Sequence, residues 1–403
     1  MTIPLAPTEK AADLAARTRR FVDEELIPAE SYGYDADGVR SDVRAELQRR
    51  ARDAGLLAPQ VSPEYGGLGL GMLDRAAVFI EAGRSTLGPQ ALNCAAPDEG
   101  NMHLLAAVAN AEQRERYLRP LAAGEVRSCF SMTEPAPGAG SDPSMIRTTA
   151  ERIPQGWRID GRKWFATGAR GAAFAIVMAR TGDAITKDRG ATMFIVDLDN
   201  PGIEVRRAVA SLDRTAVGAH CEVLFHDCVV PEDAVLGDVD LGNRCAQVRL
   251  GPARLTHCMR WLGAAWRAHE LAIARARERE AFGHRLGELG QVQGMLSDSE
   301  MDLRAGRLLT LDACAIVDAG GDARQESAMA KVFVSEAVDR VVDRAVQIHG
   351  ALGVSEDSVL SRLYTDVRPF RIYDGASEVH RWAIARRLLR SGSTSLAVHG
   401  GIS

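Results

Sequence analysis

The sequence predicts an α+β fold in which two helical blocks flank a central β block. Two observations predict it: strand-like runs are confined to residues 126–240, and apolar residues at helical spacing occur on both sides of that stretch. A third narrows it, because no βαβ alternation and no internal repeat interrupts the three blocks.

Taken in order, residues 1–125 alternate helical apolar patterns with polar breaks, as in DVRAELQRRARDAGLLAP and MLDRAAVFIEAG, and read as all helix. Residues 126–240 hold the short β-rich runs SCFSMTE, GWRIDGRKWFAT, FAIVMAR, ATMFIVDL and EVLFHDCVV, separated by Gly, Pro and Asp turns, and read as a small, mostly antiparallel β domain. Over 241–390 the helices return, with one stripe at Leu255, Met259, Leu262 and Trp266 and another at Met329, Phe333, Ala337, Val341, Ala345 and Ile348. Long striped helices joined by short breaks predict a helical bundle. Residues 391–403 have the small polar composition of a flexible tail.

A chain of 403 residues supports a large core, and its net charge of −5 and pI near 6.0 argue against nucleic acid or anionic membrane as a partner. No apolar run nears the roughly 20 residues of a spanning helix, and the start lacks a leader pattern, so the expectation is a cytoplasmic protein. Seven scattered cysteines without ligand spacing predict buried free thiols and no metal site. Cys258 beside His257 does not make a thiol nucleophile, since helix neighbours point about 100° apart. The glycines of YGGLGLGML follow no strand, which argues against a dinucleotide-binding turn.

Four segments carry chemistry. In RIYDGASEVHRWAIARRLL, Asp374 precedes Gly375 in a tight turn ahead of a helix, which suits either a helix cap or a proton-abstracting base. In MTEPAPGAGSD, Gly138, Ala139, Gly140 and Ser141 offer close backbone approach, with hydroxyls from Thr133 and Ser141. In KWFATGA, Trp164 and Phe165 stand shortly before Thr167, either as buried strand aromatics or as a ring face beside a hydroxyl. Arg279, three residues before Phe282, is either a solvated helix-end residue or a diphosphate clamp.

Together with PEYGGLGLG, AFG, QIHGALG and RLYTDVRPFRIYDGASEVHRWAIARRLL, these motifs run in one order across nearly the whole chain, and the sequence resembles the acyl-CoA dehydrogenase superfamily. The resemblance implies an N-terminal helical domain, a middle β domain, a C-terminal four-helix bundle, FAD bound between them, and a homodimer or homotetramer. It matches Thr133 to the flavin's pyrimidine end, Ser141 to the FAD diphosphate and CoA, and Phe165 and Thr167 to the flavin N5 region. It further matches Arg279, Phe282, Gln347 and Gly350 to the FAD of a neighbouring subunit, Glu378 to a position near the FAD ribose, and Asp374 to the catalytic base, normally Glu.

The departures are specific. The glycine loop is two residues longer than the usual TEPGAGSD; Phe165 replaces a common Trp, Ala351 a Gly, Ala376 a Thr, and Gly290 a Gln. Asp374 is one methylene shorter than Glu, so substrate or backbone must lie closer. With LGPARLTHCMR, this Asp resembles a subgroup linked to long, branched or 4-hydroxylated acyl chains; Arg254 is then either a CoA or substrate contact or a solvated, ion-paired residue. The implied reaction, in fatty acid metabolism, is α,β-dehydrogenation of an acyl-CoA to a trans-2-enoyl-CoA, with an electron-transfer flavoprotein as acceptor. An oxygen-using relative (acyl-CoA oxidase or N-hydroxylase) and a non-catalytic FAD-binding subunit are the alternatives.

Overall fold

The computed structural model describes residues 5–391 apart from 184, 187 and 188; beyond Ser391 the expected tail lies outside the described residues. The main helices of the first block are α1 (Glu9–Phe21), α2 (Ser41–Asp53), α3 (Met72–Ala82) and α4 (Asp98–Val108). This block is not all helix. A hairpin of β1 (Tyr34–Asp35) and β2 (Gly38–Val39) follows α1, made possible by Gly38 at φ +112°, where a Cβ would lie 2.2 Å from the Ala216 carbonyl.

The strands that follow are β3 (Ser128–Ser131), β4 (Thr149–Ile153), β5 (Gly156–Thr167), β6 (Phe174–Arg180), β7 (Ala191–Asp197), β8 (Ile203–Val209), β9 (His220–Val230) and β10 (Val235–Leu236). Then come α5 (Gly242–Glu278), a small hairpin of β11 (Glu280–Ala281) and β12 (His284–Arg285), α6 (Gly290–Asp318), α7 (Arg324–His349), α8 (Val359–Val367) and α9 (Ser377–Ser391).

The described residues form two compact units, divided within α5 between Ala253 and Arg254. The β unit takes Ala29–Gly69 and Pro89–Ala253. Its sheet runs β10-β7-β6-β4-β5-β9-β8, mostly antiparallel, with β3 added parallel to β6. Strands β6 and β7 are buried almost end to end, as expected of continuous apolar runs covered on both faces. On α4, the carboxylate of Asp98 accepts from both the backbone N–H (2.8 Å) and the hydroxyl (2.6 Å) of Ser128, tying helix to sheet.

The helical unit takes Met1–Pro28, Leu70–Gly88 and Arg254–Ser403. The α3 N-terminus is capped from α6, where the Asp318 carboxylate accepts from the N–H groups of Met72 (2.7 Å) and Leu73 (2.8 Å), an anion set on the positive end of a helix dipole. Helices α3 and α5 cross closely: a Cβ on Gly83 would stand 2.0 Å from the Arg260 carbonyl, and one on Gly263 2.0 Å from that of Ile80. Leu255, Met259 and Leu262 are fully buried on α5, as their stripe predicts. On α7 the predicted stripe is rotated at its start: Met329 is 41% exposed, and Ala330 and Val334 take the inward positions. All seven cysteines are buried free thiols.

Candidate active site

Asp374 sits in the left-handed region at φ 53°, followed by Gly375 at φ +99°. A non-glycine residue held there costs energy and persists only where surroundings over-determine it. Here they do. The Asp374 carbonyl accepts from Arg254 Nε on α5 (3.2 Å) and faces His380 Nε2 on α9 (3.1 Å), while the Gly375 carbonyl accepts from Lys331 Nζ on α7 (2.7 Å). Three helices thus grip one turn through its backbone oxygens. Asp374 Oδ2 lies 3.2 Å from His257 Nε2, also on α5.

Arg254, His257, Arg260 and Trp261 recur at three- and four-residue spacings, so α5 presents them on one face. His257 and Arg260 are buried, with Arg260 Nη2 3.0 Å from His257 Nδ1. The His257 ring packs against Tyr373 (centroids 4.8 Å apart) and Phe370 (5.9 Å), and Trp261 Nε1 donates to the Tyr373 hydroxyl. Aromatic packing and one carboxylate are set against a crowd of cationic groups. Burial brings Lys331 down to about 8. Burial, aided by the charges of Arg254 and Lys331, brings His380 down to about 4. His380 is therefore neutral near pH 7, and its Nε2–H donates to the Asp374 carbonyl. Burial also lowers Arg254, opposed by Asp374.

A second polar cluster lies in the β unit. A register shift between Lys163 and Ala166 breaks the β5–β9 ladder, and Phe165 takes φ 50° there. The bulge turns Phe165 outward, 39% exposed, so it is not a buried strand aromatic. Two residues on, the Thr167 hydroxyl is 2.9 Å from His220 Nδ1, and His220 Nε2 is 3.2 Å from each oxygen of Asp213. Burial works to raise Asp213, but the hydrogen bond and charge of His220 outweigh it and hold the carboxyl low. Thr133 lies alongside, its carbonyl accepting from the Trp164 N–H (3.0 Å).

The glycine loop after Thr133 folds over a buried pair. Glu134 accepts from Lys163 Nζ (2.8 Å) and from the N–H groups of Arg147 (2.7 Å) and Thr148 (2.9 Å), which draws the two ends of the loop together. Ser141 stands exposed on that loop. Of the remaining predicted positions, Arg279 and Phe282 belong to the β11–β12 hairpin region, with Phe282 95% exposed at its tip. Gln347 and Gly350 are exposed at the C-terminal end of α7, and Glu378 on the first turn of α9.

Sequence reading singles out Asp374, Arg254 and Thr167, names His257 only as the neighbour of Cys258, and does not name Arg260, Lys331, His380, His220 or Asp213. The signal for the α5 set was present, since Arg254, His257 and Trp261 share a helical face. His220 and Asp213 had none, because a loop separates them.

The chain matches three family models in order: the acyl-CoA dehydrogenase N-terminal domain over residues 8–125, middle domain over 129–228, and C-terminal domain over 240–389. It is 40% identical to "Probable acyl-CoA dehydrogenase FadE2" of Mycobacterium tuberculosis, covering 97% of this chain and 98% of that one. It is 35% identical to acyl-CoA dehydrogenase family member 11 of Gallus gallus, covering 96% of this chain but only 52% of that longer protein. Butyryl-CoA dehydrogenase from Megasphaera elsdenii superposes with a TM-score of 0.85 at 25% identity, covering 95% and 99% of the two chains. A chain from the structure titled for the electron transferring flavoprotein of Acidaminococcus fermentans gives 0.85 at 26%, covering 95% and 98%. With its helical, β and helical segments in the same order as the three matched models, the chain belongs to the acyl-CoA dehydrogenase family.

Proposed function

We propose that the protein is an FAD-dependent dehydrogenase that converts an acyl-CoA thioester to its trans-2-enoyl-CoA, with Asp374 as the base. The observation that carries this reading is the Asp374–Gly375 turn: a carboxylate on a strained backbone, with its carbonyls held by Arg254, His380 and Lys331. A cap needs no such apparatus, whereas a base must be aimed to a fraction of an ångström.

The residues in the β unit suit FAD. An outward Phe165 ring offers a face for a planar ligand, and the Thr167 hydroxyl beside it offers a partner for that ligand's polar edge. When bound, FAD supplies the acceptor for the β-hydride. Thr133, Ser141 and Glu378 would contribute polar contacts, and Arg279, Phe282, Gln347 and Gly350 would serve the FAD of a second copy in a homodimer or homotetramer. Asp374 takes the α-proton, and its own backbone N–H polarises the thioester carbonyl, stabilising the charge that develops there. With its Nε committed to the Asp374 carbonyl, Arg254 acts on substrate chiefly by aiming the base. An electron-transfer flavoprotein is the acceptor this reading assigns, and among the described residues no helix is long and apolar enough to cross a membrane.

The test is anaerobic addition of a panel of acyl-CoAs to the yellow protein. Bleaching of the flavin by one chain class supports the reading; an unbleached flavin with every acyl-CoA contradicts it.

A further inference from the structure

We infer that His257 is a positioning residue for Asp374, and that Arg260 fixes which of its two ring nitrogens carries the proton. The inference rests on the reading of Asp374 as base and adds to it. Arginine has only N–H donors, so the contact between Arg260 Nη2 and His257 Nδ1 (3.0 Å) requires a lone pair on Nδ1. The ring proton is then on Nε2, 3.2 Å from Asp374 Oδ2. The order Arg260, His257, Asp374 sets a ring N–H of fixed tautomer in close contact with Oδ2, off the line of a well-aligned hydrogen bond.

Two consequences follow for the chemistry. First, with its Nδ1 lone pair held by Arg260 and its Nε2 protonated, His257 has no free lone pair to take a proton from a thioester, although it stands beside Asp374. The chain assigns the base role to the carboxylate. Second, the Nε2–H dipole 3.2 Å from Oδ2 favours the ionised form and biases the position of the short Asp side chain. The other groups facing this turn meet its backbone, Arg254 and His380 at the Asp374 carbonyl and Lys331 at that of Gly375, and the charges of Arg254 and Lys331 also act on the Asp374 carboxylate. Cys258, fully buried and pushed up to about 12, remains a thiol and adds no charge. The Tyr373 and Phe370 rings pack against the imidazole at centroid distances of 4.8 and 5.9 Å.

The experiment uses the full-length FAD-loaded protein labelled with ¹⁵N-histidine, with His257→Gln assigning the His257 resonances. The expected result is a neutral ring protonated on Nε2 at pH 7, and in Arg260→Met a shift toward mixed tautomers. In parallel, the acid limb of the kcat/KM profile for flavin reduction by acyl-CoA should move up by about one pH unit in His257→Phe, the loss of one close N–H contact to the carboxylate. His257→Gln, which keeps an N–H donor, should restore most of that shift. An Nδ1-protonated ring in the native protein, or identical acid limbs in all three proteins, would overturn the inference. If His257→Phe does not fold, the Gln and Arg260→Met comparison decides alone. Asp374→Asn separates the two readings: flavin reduction retained there sinks the base assignment, whatever the His257 tautomer.

Discussion

Arg254 Nε donates to the backbone carbonyl of Asp374 at 3.2 Å, so α5 holds a turn that lies 120 positions later in the chain. Replacing Arg254 by Met should therefore lower kcat for flavin reduction more than it raises KM, because the base is displaced rather than the ligand lost. A shift of about 1 Å costs on the order of 100-fold. Arg254→Lys should recover little, since a lysine ammonium is a flexible point charge without the planar fork. FAD content should be unchanged; loss of FAD instead would place Arg254 in cofactor binding.

Gly375 admits no side chain. At φ +99° an L-residue is strained, and a Cβ would lie 2.6 Å from His380 Nε2. Gly375→Ala should displace both the turn and His380, destabilising the fold by about 1–3 kcal/mol and reducing turnover at least as strongly as Arg254→Met. A thermal melt within error of wild type would show that the turn is softer than its contacts imply.

Lys331 gives a pH dependence of defined sign. Buried, it binds its proton with a pKa of about 8 against 10.5 for the unfolded chain. Between those values the unfolded state holds the extra proton, so stability from this group rises with pH across the window and is lowest below it. Denaturant titrations of wild type and Lys331→Met, compared at several pH values, should show the wild-type advantage growing from pH 8 toward pH 10.5. An advantage that shrinks would contradict the assigned protonation.

The buried pair Lys163–Glu134, 2.8 Å apart, anchors the loop that carries Ser141. Removing one partner strands the other charge, so Lys163→Met should destabilise by about 3–5 kcal/mol. The double variant Lys163→Met with Glu134→Gln should recover part of that loss, measurable by urea unfolding. No recovery would mean that the loop depends on the Glu134 contacts to Arg147 and Thr148 more than on the charge pair.

The three-block order was legible because helical and strand periods are written locally, and Leu255, Met259 and Leu262 are buried as their spacing predicts. Met329 escaped because a stripe of long apolar residues competes with one of smaller ones, and Ala330 packs more closely than a methionine can. Asp374 was visible as a turn residue, but its restraints were not, since Lys331 and Arg254 reach it from helices distant in sequence. Phe165 was read as an aromatic near Thr167; its outward turn depends on a bulge that arises only when β5 pairs with β9. The sequence shows His257 only as the neighbour of Cys258; in the fold Arg260 contacts one of its ring nitrogens and the Asp374 carboxylate lies 3.2 Å from the other.

The most direct measurement is the anaerobic acyl-CoA titration of wild type beside Asp374→Asn, each with FAD content verified by its visible spectrum. Asp374 as base predicts that one class of acyl-CoA bleaches the wild-type flavin while the Asn variant, equally yellow, stays oxidised. Bleaching of the variant at the wild-type rate, or of neither protein by any acyl-CoA, would contradict it.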